Sequence, residues 1–228
     1  MRHSRLQSLS LGGGGWMRIL VACDSSQAVT IELRRLGHEA YSCDLQECSG
    51  GHPEWHIKAD ALEIIKLKWD MIIAHPPCTY LTAAGAIRLY DKQHRIKDQE
   101  RFAKGLKAAK FFREIWAAEC QRIVIENPVP MKVFGLPQYS QIIEPYYFGD
   151  PWRKRTCLWL KNIPPLLPTE VVEPQGLWVG STSGRRDATV YSRYRLKSKR
   201  DQKTRSKTFP GIARAMAEQW AGKCEEGS

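Results

Sequence analysis

Four apolar residues, Met71 to Ala74, run through His75 into two consecutive prolines, and this stretch constrains the chain more than any other. A continuous apolar run of that length is the pattern of a strand covered on both faces, as in a parallel sheet. Pro76 and Pro77 must end it, because neither donates to a ladder and both fix φ. Cys78 then stands on a stiff turn just past a strand's carboxyl end, where open α/β sheets place their ligands. A lone Pro-Cys pair is more often an inert buried thiol beside a structural turn. A second stretch shifts that balance: Ile123 to Ile125 is another apolar strand, it delivers Glu126, and the chain again breaks at Pro128. Two buried strands, one presenting a thiol and the other a carboxyl, point to one cleft.

The remaining elements fall around these two. MRHSRLQSLSLGGGG reads as a flexible extension over residues 1–16, and MRILVAC, from Met17, as the beginning of the fold. Ile19 to Ala22 is a buried-type strand. Ser25 or Ser26 is positioned to cap a helix with Val29, Leu33 and Leu36 on one face and Gly37 as its stop. EAYSCD forms a second strand ending in Asp44, the position that binds a ribose hydroxyl in nucleotide-type βαβ sites. Asp44 to Asp60 reads as a polar loop. With Cys43 before it, the loop's Cys48, His52 and His56 have only loosely zinc-like spacing, and Cys43 falls in a buried strand, so no metal is expected. Asp60 precedes ALEIIKLKW as either a helix cap or a ligand at a third strand's end. A long helix is predicted from about Asp98 to Glu119, with Phe102, Leu106, Ala109, Phe112 or Arg113, and Trp116 as its apolar stripe. QIIEPYYF and TCLWL are further strands, separated by GDPWRKR.

With 228 residues, one α/β domain with a modest insertion fits. A formal charge of +11 favours a polyanionic partner, most simply nucleic acid. Seven cysteines without framework spacing suit reduced thiols in a cytoplasmic setting, and no apolar run is long enough to cross a bilayer. A monomer is expected.

PPC at Pro76 to Cys78, ENP at Glu126 to Pro128, and Arg153-Lys154-Arg155 after a Gly-x-Pro turn occur in that order. They resemble the Pro-Cys, Glu-Asn-Val and Arg-x-Arg motifs of DNA cytosine-5 methyltransferases, in a short form like those of phages and prophages. The resemblance runs from about Arg18 to Trp220, and FPGIARAMAEQW resembles the family's closing helix. It implies a Rossmann-like class I methyltransferase sheet with helices on both faces. It divides the chain into a catalytic domain at 17–162, a small basic target-recognition insert at 163–207, and a returning helix and tail at 208–228. It also implies S-adenosylmethionine as cofactor, held by Ala22, Cys23, Asp24, Ser25, Asp44, Leu45, Asp60, Ala61 and Pro76. Cys78, Glu126, Arg153 and Arg155 are the catalytic residues it implies, with double-stranded DNA as substrate and the target cytosine flipped out.

The family's first loop is glycine-rich, whereas here it reads ACDSSQAV, whose side chains narrow the room for a cofactor. That departure keeps open a catalytically weak relative that binds DNA and masks sites from nucleases. RNA cytosine-5 methylation also stays open, because the basic charge suits either polymer. An amino-methyltransferase does not fit: His75 and Cys78 stand where that class carries a polar residue before the prolines and an aromatic one after them. From Arg193 to Lys207 eight residues are Lys or Arg and one is acidic. Within and just before that run, Arg185, Arg186, Arg193, Arg195, Lys197, Lys199, Arg200, Lys203 and Arg205 are the expected nucleic-acid contacts. So small an insert reaches few base edges, which suits a short or relaxed target sequence.

Overall fold

The computed structural model describes residues 15–174, 177–178 and 207–224. Five parallel strands make its centre: β1 (Arg18–Ala22), β2 (Glu39–Asp44), β3 (His56–Lys58), β4 (Met71–Ala74) and β5 (Ile123–Pro128). β6 (Gln141–Ile143) forms one edge, and a two-residue strand, β7 (Trp152–Arg153), precedes β8 (Thr156–Lys161). β8 runs antiparallel between β5 and β6, so the sheet order is β3-β2-β1-β4-β5-β8-β6. This is an open Rossmann-like α/β sheet with helices on both faces, as the sequence leads one to expect. The chain moves outward in opposite directions from β1 and β4, and an open sheet's ligand crevice lies above that reversal. β4, and β1 from Ile19 to Ala22, are fully buried, which is why these sequences read as unbroken apolar runs.

One face is covered by α1 (Ala28–Arg35), through Val29 and Leu33, and by the last helix, through Ile212, Met216 and Trp220. The other carries α2 (Ala61–Ile64) and α4 (Gln99–Trp116), with Phe112 and Ile115 inward. Between them α3 (Ala86–Leu89) packs on α4, and the closing helix is α5 (Pro210–Trp220). Among the described residues, no helix is long and apolar enough to cross a membrane.

The structure departs from the sequence reading in several places. The N-cap position of α1 is Gln27, in the left-handed region with φ 61° and with no side-chain bond to the helix, while the Ser26 hydroxyl donates to Asp24 and accepts the Ala28 N–H at 3.4 Å. Buried on α4 are Gly105, Ala109, Phe112 and Ile115, whereas Leu106 is 47% exposed. The inward face is rotated because the Phe134 ring lies where a side chain at Gly105 would be. The polar loop after Asp44 contains β3, an edge strand too short for periodicity to show. Residues 163–174 lie along the main domain: Leu166 is fully buried and Gln141 bonds its backbone on both sides.

Candidate functional site

Cys78 and Glu126 arrive on two loops that are fastened to each other. Beyond β4, the His75 N–H donates to the Ala22 carbonyl at 2.9 Å, and the prolines then turn the chain out of the sheet. The buried Asn127 amide donates to the Pro76 carbonyl at 3.0 Å, fixing that turn to β5. Leu81 and Thr82 N–H groups both close on the Cys78 carbonyl at 3.0 Å. Ala83 N–H to the Val129 carbonyl and Met131 N–H to the Leu81 carbonyl complete the seam. Cys78 is reduced and partly buried. Asn127, to which the sequence reading gave no role of its own, is the residue that ties the Cys78 turn to β5. Asn127→Ala should strand the Pro76 carbonyl and cost about 1–3 kcal/mol, measurable as a shifted denaturant midpoint; an unchanged midpoint would show that the clamp carries no load.

Glu126 sits on the α5 face of β5, and its carboxylate receives the His75 ring at 3.0 Å from Nδ1. The two side chains are only 12% and 10% exposed. Burial opposes charge on both. The hydrogen bond to His75 and the positive charges of Lys154 and His75 nevertheless hold the Glu126 carboxyl below its usual range. Burial likewise opposes the imidazolium, but Glu126, with help from Asp24, raises the His75 pKa above its ordinary value. Each group thus favours the charged form of the other, across the 3.0 Å contact between Nδ1 and the carboxylate. Lys154, Thr156, Phe209 and Ile212 line a small pocket with Glu126. Strand alternation explains which cation of the Arg-Lys-Arg run enters: Leu158 faces Glu126 across the ladder, and Thr156 and Lys154 follow on the same side. Arg153 and Arg155 flank Lys154 and are exposed, with the Arg153 guanidinium 5.6 Å from the Tyr146 ring centre.

Beside this cleft the carboxyl ends of the first strands carry a row of acids. Asp24, Asp44 and Asp60 all act on the Cys23 thiol, whose pKa is pushed far up by burial first and by those charges next. Asp60 follows β3, and its carboxylate accepts the Leu62 N–H, so it is the cap of α2 ahead of buried Ala61. Leu45, next to Asp44, is 71% exposed, an apolar platform at the crevice. The loop reaches its tight path without glycine by placing Cys23 and Gln27 in the left-handed region, at φ 58° and 61°. Gln27 is fully buried; its amide bonds His52 on both sides, and Ser49 N–H bonds the Ser25 carbonyl. The loop is thus held from behind by residues 49–52.

An S-adenosylmethionine site fits here on one internal observation. Asp24 is buried, one carboxylate oxygen takes Ser26, and the other, Oδ2, has no partner among the described residues. A ligand ammonium is the kind of donor that would satisfy such an oxygen. Among the described residues no group of three or more His, Cys, Asp or Glu is placed to hold a metal ion. The basic positions from Arg185 to Arg205 lie outside the described residues. His75, Asn127, Lys154 and Gln27 are the positions missed. The only available signals were the histidine before the prolines and the asparagine after the glutamate.

No protein-family model matches the chain, and no curated protein sequence matches it. Among solved structures it is similar to a triple mutant of DNMT2 from Spodoptera frugiperda, at 13% sequence identity and a TM-score of 0.32. That likeness covers 68% of this chain and 54% of the other, so the chain spans about half the length of that protein.

Proposed function

We propose that this protein is an S-adenosylmethionine-dependent DNA cytosine-5 methyltransferase with Cys78 as its nucleophile. The observation that carries the reading is the seam joining the Cys78 turn to the Glu126 strand end, alongside the acid row of the crevice. Carbon 5 of cytosine is too weak a nucleophile to take a methyl group unaided. Addition of the Cys78 thiolate to carbon 6 converts the ring to an enamine, which is covalent catalysis by an activated thiol. Glu126, backed by His75, hydrogen-bonds ring nitrogen 3 and the exocyclic amine as charge develops there. Lys154 adds positive charge inside the same pocket, and Arg153 and Arg155 flank it where they serve the base's carbonyl oxygen and the target nucleotide.

S-adenosylmethionine, when bound, supplies an electrophilic methyl group. Asp24 would hold its ammonium, Asp44 the ribose hydroxyls, and Asp60 with Leu45 the adenine, with Ala22, Cys23, Ser25, Ala61 and Pro76 as the surrounding wall. A cytosine stacked in a duplex cannot reach this pocket, so the base must be flipped out. The Lys and Arg residues between Arg185 and Arg205 would neutralise phosphates and make binding salt-dependent.

The test is covalent trapping. Duplex DNA carrying 5-fluorocytosine, incubated with protein and S-adenosylmethionine, should yield an adduct that survives denaturation, with the added mass on the peptide containing Cys78. An adduct mapped to another cysteine, or none with any duplex, would overturn the assignment.

A further inference from the structure

The His75–Glu126 pair is an expensive arrangement to keep. Two ionisable side chains are almost fully removed from water at the strand ends, and such pairs are weak sources of stability. The geometry is nonetheless fixed on every side. The His75 backbone is anchored to Ala22, the next residue's carbonyl is clamped by Asn127, and Nδ1 is committed to Glu126. The other ring nitrogen, Nε2, is buried without a partner among the described residues. An imidazole with one nitrogen bound to a carboxylate and the other unsatisfied has its charge set chiefly by that carboxylate. The charged groups facing it are Asp24 from the β1 loop, Glu126 from β5 and Lys154 from the turn before β8.

The proposed reaction needs a proton at that place. When the thiolate adds to carbon 6, the carbon 5–carbon 6 electron pair moves to carbons 4 and 5, and ring nitrogen 3 becomes basic. Glu126 is the group beside it, and its carboxylate is already committed to the His75 Nδ1 at 3.0 Å, which with Lys154 favours its ionised form. We propose that His75 is a positioning residue that lends Glu126 the proton taken up by ring nitrogen 3 of the target base as the Cys78 adduct forms. This rests on the assignment of Cys78 and Glu126 above. In the step a sulfur–carbon bond and a nitrogen–hydrogen bond form on the base, and the His75 Nδ1–H bond breaks. Glu126 relays the proton and ends as the carboxylate it was, while His75 ends neutral. When the thiolate is later eliminated, ring nitrogen 3 returns the proton to the pair, so no external acid is consumed.

Exchange of the cytosine carbon 5 hydrogen with solvent, without cofactor, reads this step directly, because it requires thiolate addition but no methyl transfer. Wild-type exchange should fall as pH rises through the elevated His75 pKa. His75→Asn keeps a donor near the carboxylate but has no proton to lend. It should lower exchange by about 100-fold at pH 7.5 and move the alkaline limb to lower pH. A folded His75→Asn protein with wild-type rate and pH profile would overturn the inference. Loss of rate with an unmoved limb would also overturn it, reducing His75 to a structural support. Exchange that persists in Cys78→Ser, or none in the wild type, would instead bring down the assignment of the nucleophile and the inference with it.

A second measurement needs no substrate. His75 has a folded pKa above 6.5, so its contribution to stability is whole below 6.5 and lost as pH rises through the folded value. Glu126 has a folded pKa below 4.5, so its contribution is whole above 4.5 and lost as pH falls through the folded value. The loss of melting temperature on His75→Asn should therefore peak between pH 4.5 and 6.5. A loss that does not vary with pH would show that the ring is uncharged in the folded protein, which would overturn the proton-lending role.

Discussion

Cys78→Ser is expected to remove methyl transfer almost completely, by roughly 10⁴-fold or more in single turnover, and to leave the protein folded. The size of the effect follows from the chemistry: a serine hydroxyl is a far weaker nucleophile near neutral pH than a thiolate. Preservation of the fold follows from how the turn is built. Its shape is set by two prolines, by the Asn127 amide on the Pro76 carbonyl, and by Leu81 and Thr82 N–H groups on the Cys78 carbonyl. Those bonds involve backbone atoms and one neighbouring side chain, so exchanging sulfur for oxygen leaves them in place. The melting temperature should stay within about 2 °C of the wild type, and binding of duplex DNA should be retained. The measurement is a single-turnover assay with excess protein, alongside circular dichroism and a melting curve. Methyl transfer within tenfold of the wild type would show that Cys78 is not the nucleophile.

Strand ends were the most legible part of this sequence, and the crevice floor the least. Met71–Ala74 and Ile123–Ile125 announce themselves because a strand buried on both faces has no polar alternation to obscure it. Pro76 and Pro128 then mark where each strand stops, and so where Cys78 and Glu126 are delivered. The pairing of His75 with Glu126 was not legible: the residues are 51 apart in sequence and meet only because β4 and β5 are parallel neighbours. The entry of Lys154 between two arginines was equally hidden. It depends on the ladder in which Leu158 faces Glu126, and a register shift of one would have turned both arginines inward instead. The glycine-free loop was legible as a departure, but its solution was not. Cys23 and Gln27 accept left-handed backbone there, and Gln27 is held by His52 from a loop that sequence alone reads as plain surface. The apolar stripe of α4 was displaced for a comparable reason: Gly105 faces the Phe134 ring, and a residue without a side chain is invisible to a hydrophobic pattern.

Gly211→Ala is expected to be among the most destabilising single substitutions in the chain, although it adds only a methyl group in the first turn of a helix. An added Cβ would lie 1.8 Å from the Phe148 carbonyl oxygen and 2.8 Å from its carbon, both backbone atoms that no rotamer change can move. The same glycine donates its N–H to Asp150 at 3.0 Å, so the start of α5 is docked directly on the Phe148–Asp150 turn. Relief of the clash must push the two backbones apart. That movement would loosen Ile212, Ala213, Met216 and Trp220, which α5 buries against α1 and the sheet. Overpacking against backbone costs about 3 kcal/mol, which in a chain of this size lowers the melting temperature by roughly 6–12 °C. Arg214→Gln, on the exposed side of the same helix, should change stability by no more than about 0.5 kcal/mol. Function should suffer beyond stability, because Phe209 and Ile212 lie within two residues of Gly211 and line the pocket with Glu126 and Lys154. At a temperature where Gly211→Ala remains folded, single-turnover methyl transfer should still fall, since the displaced helix opens that pocket to water. A melting temperature within 2 °C of wild type would show that α5 does not approach the Phe148 turn as closely as described.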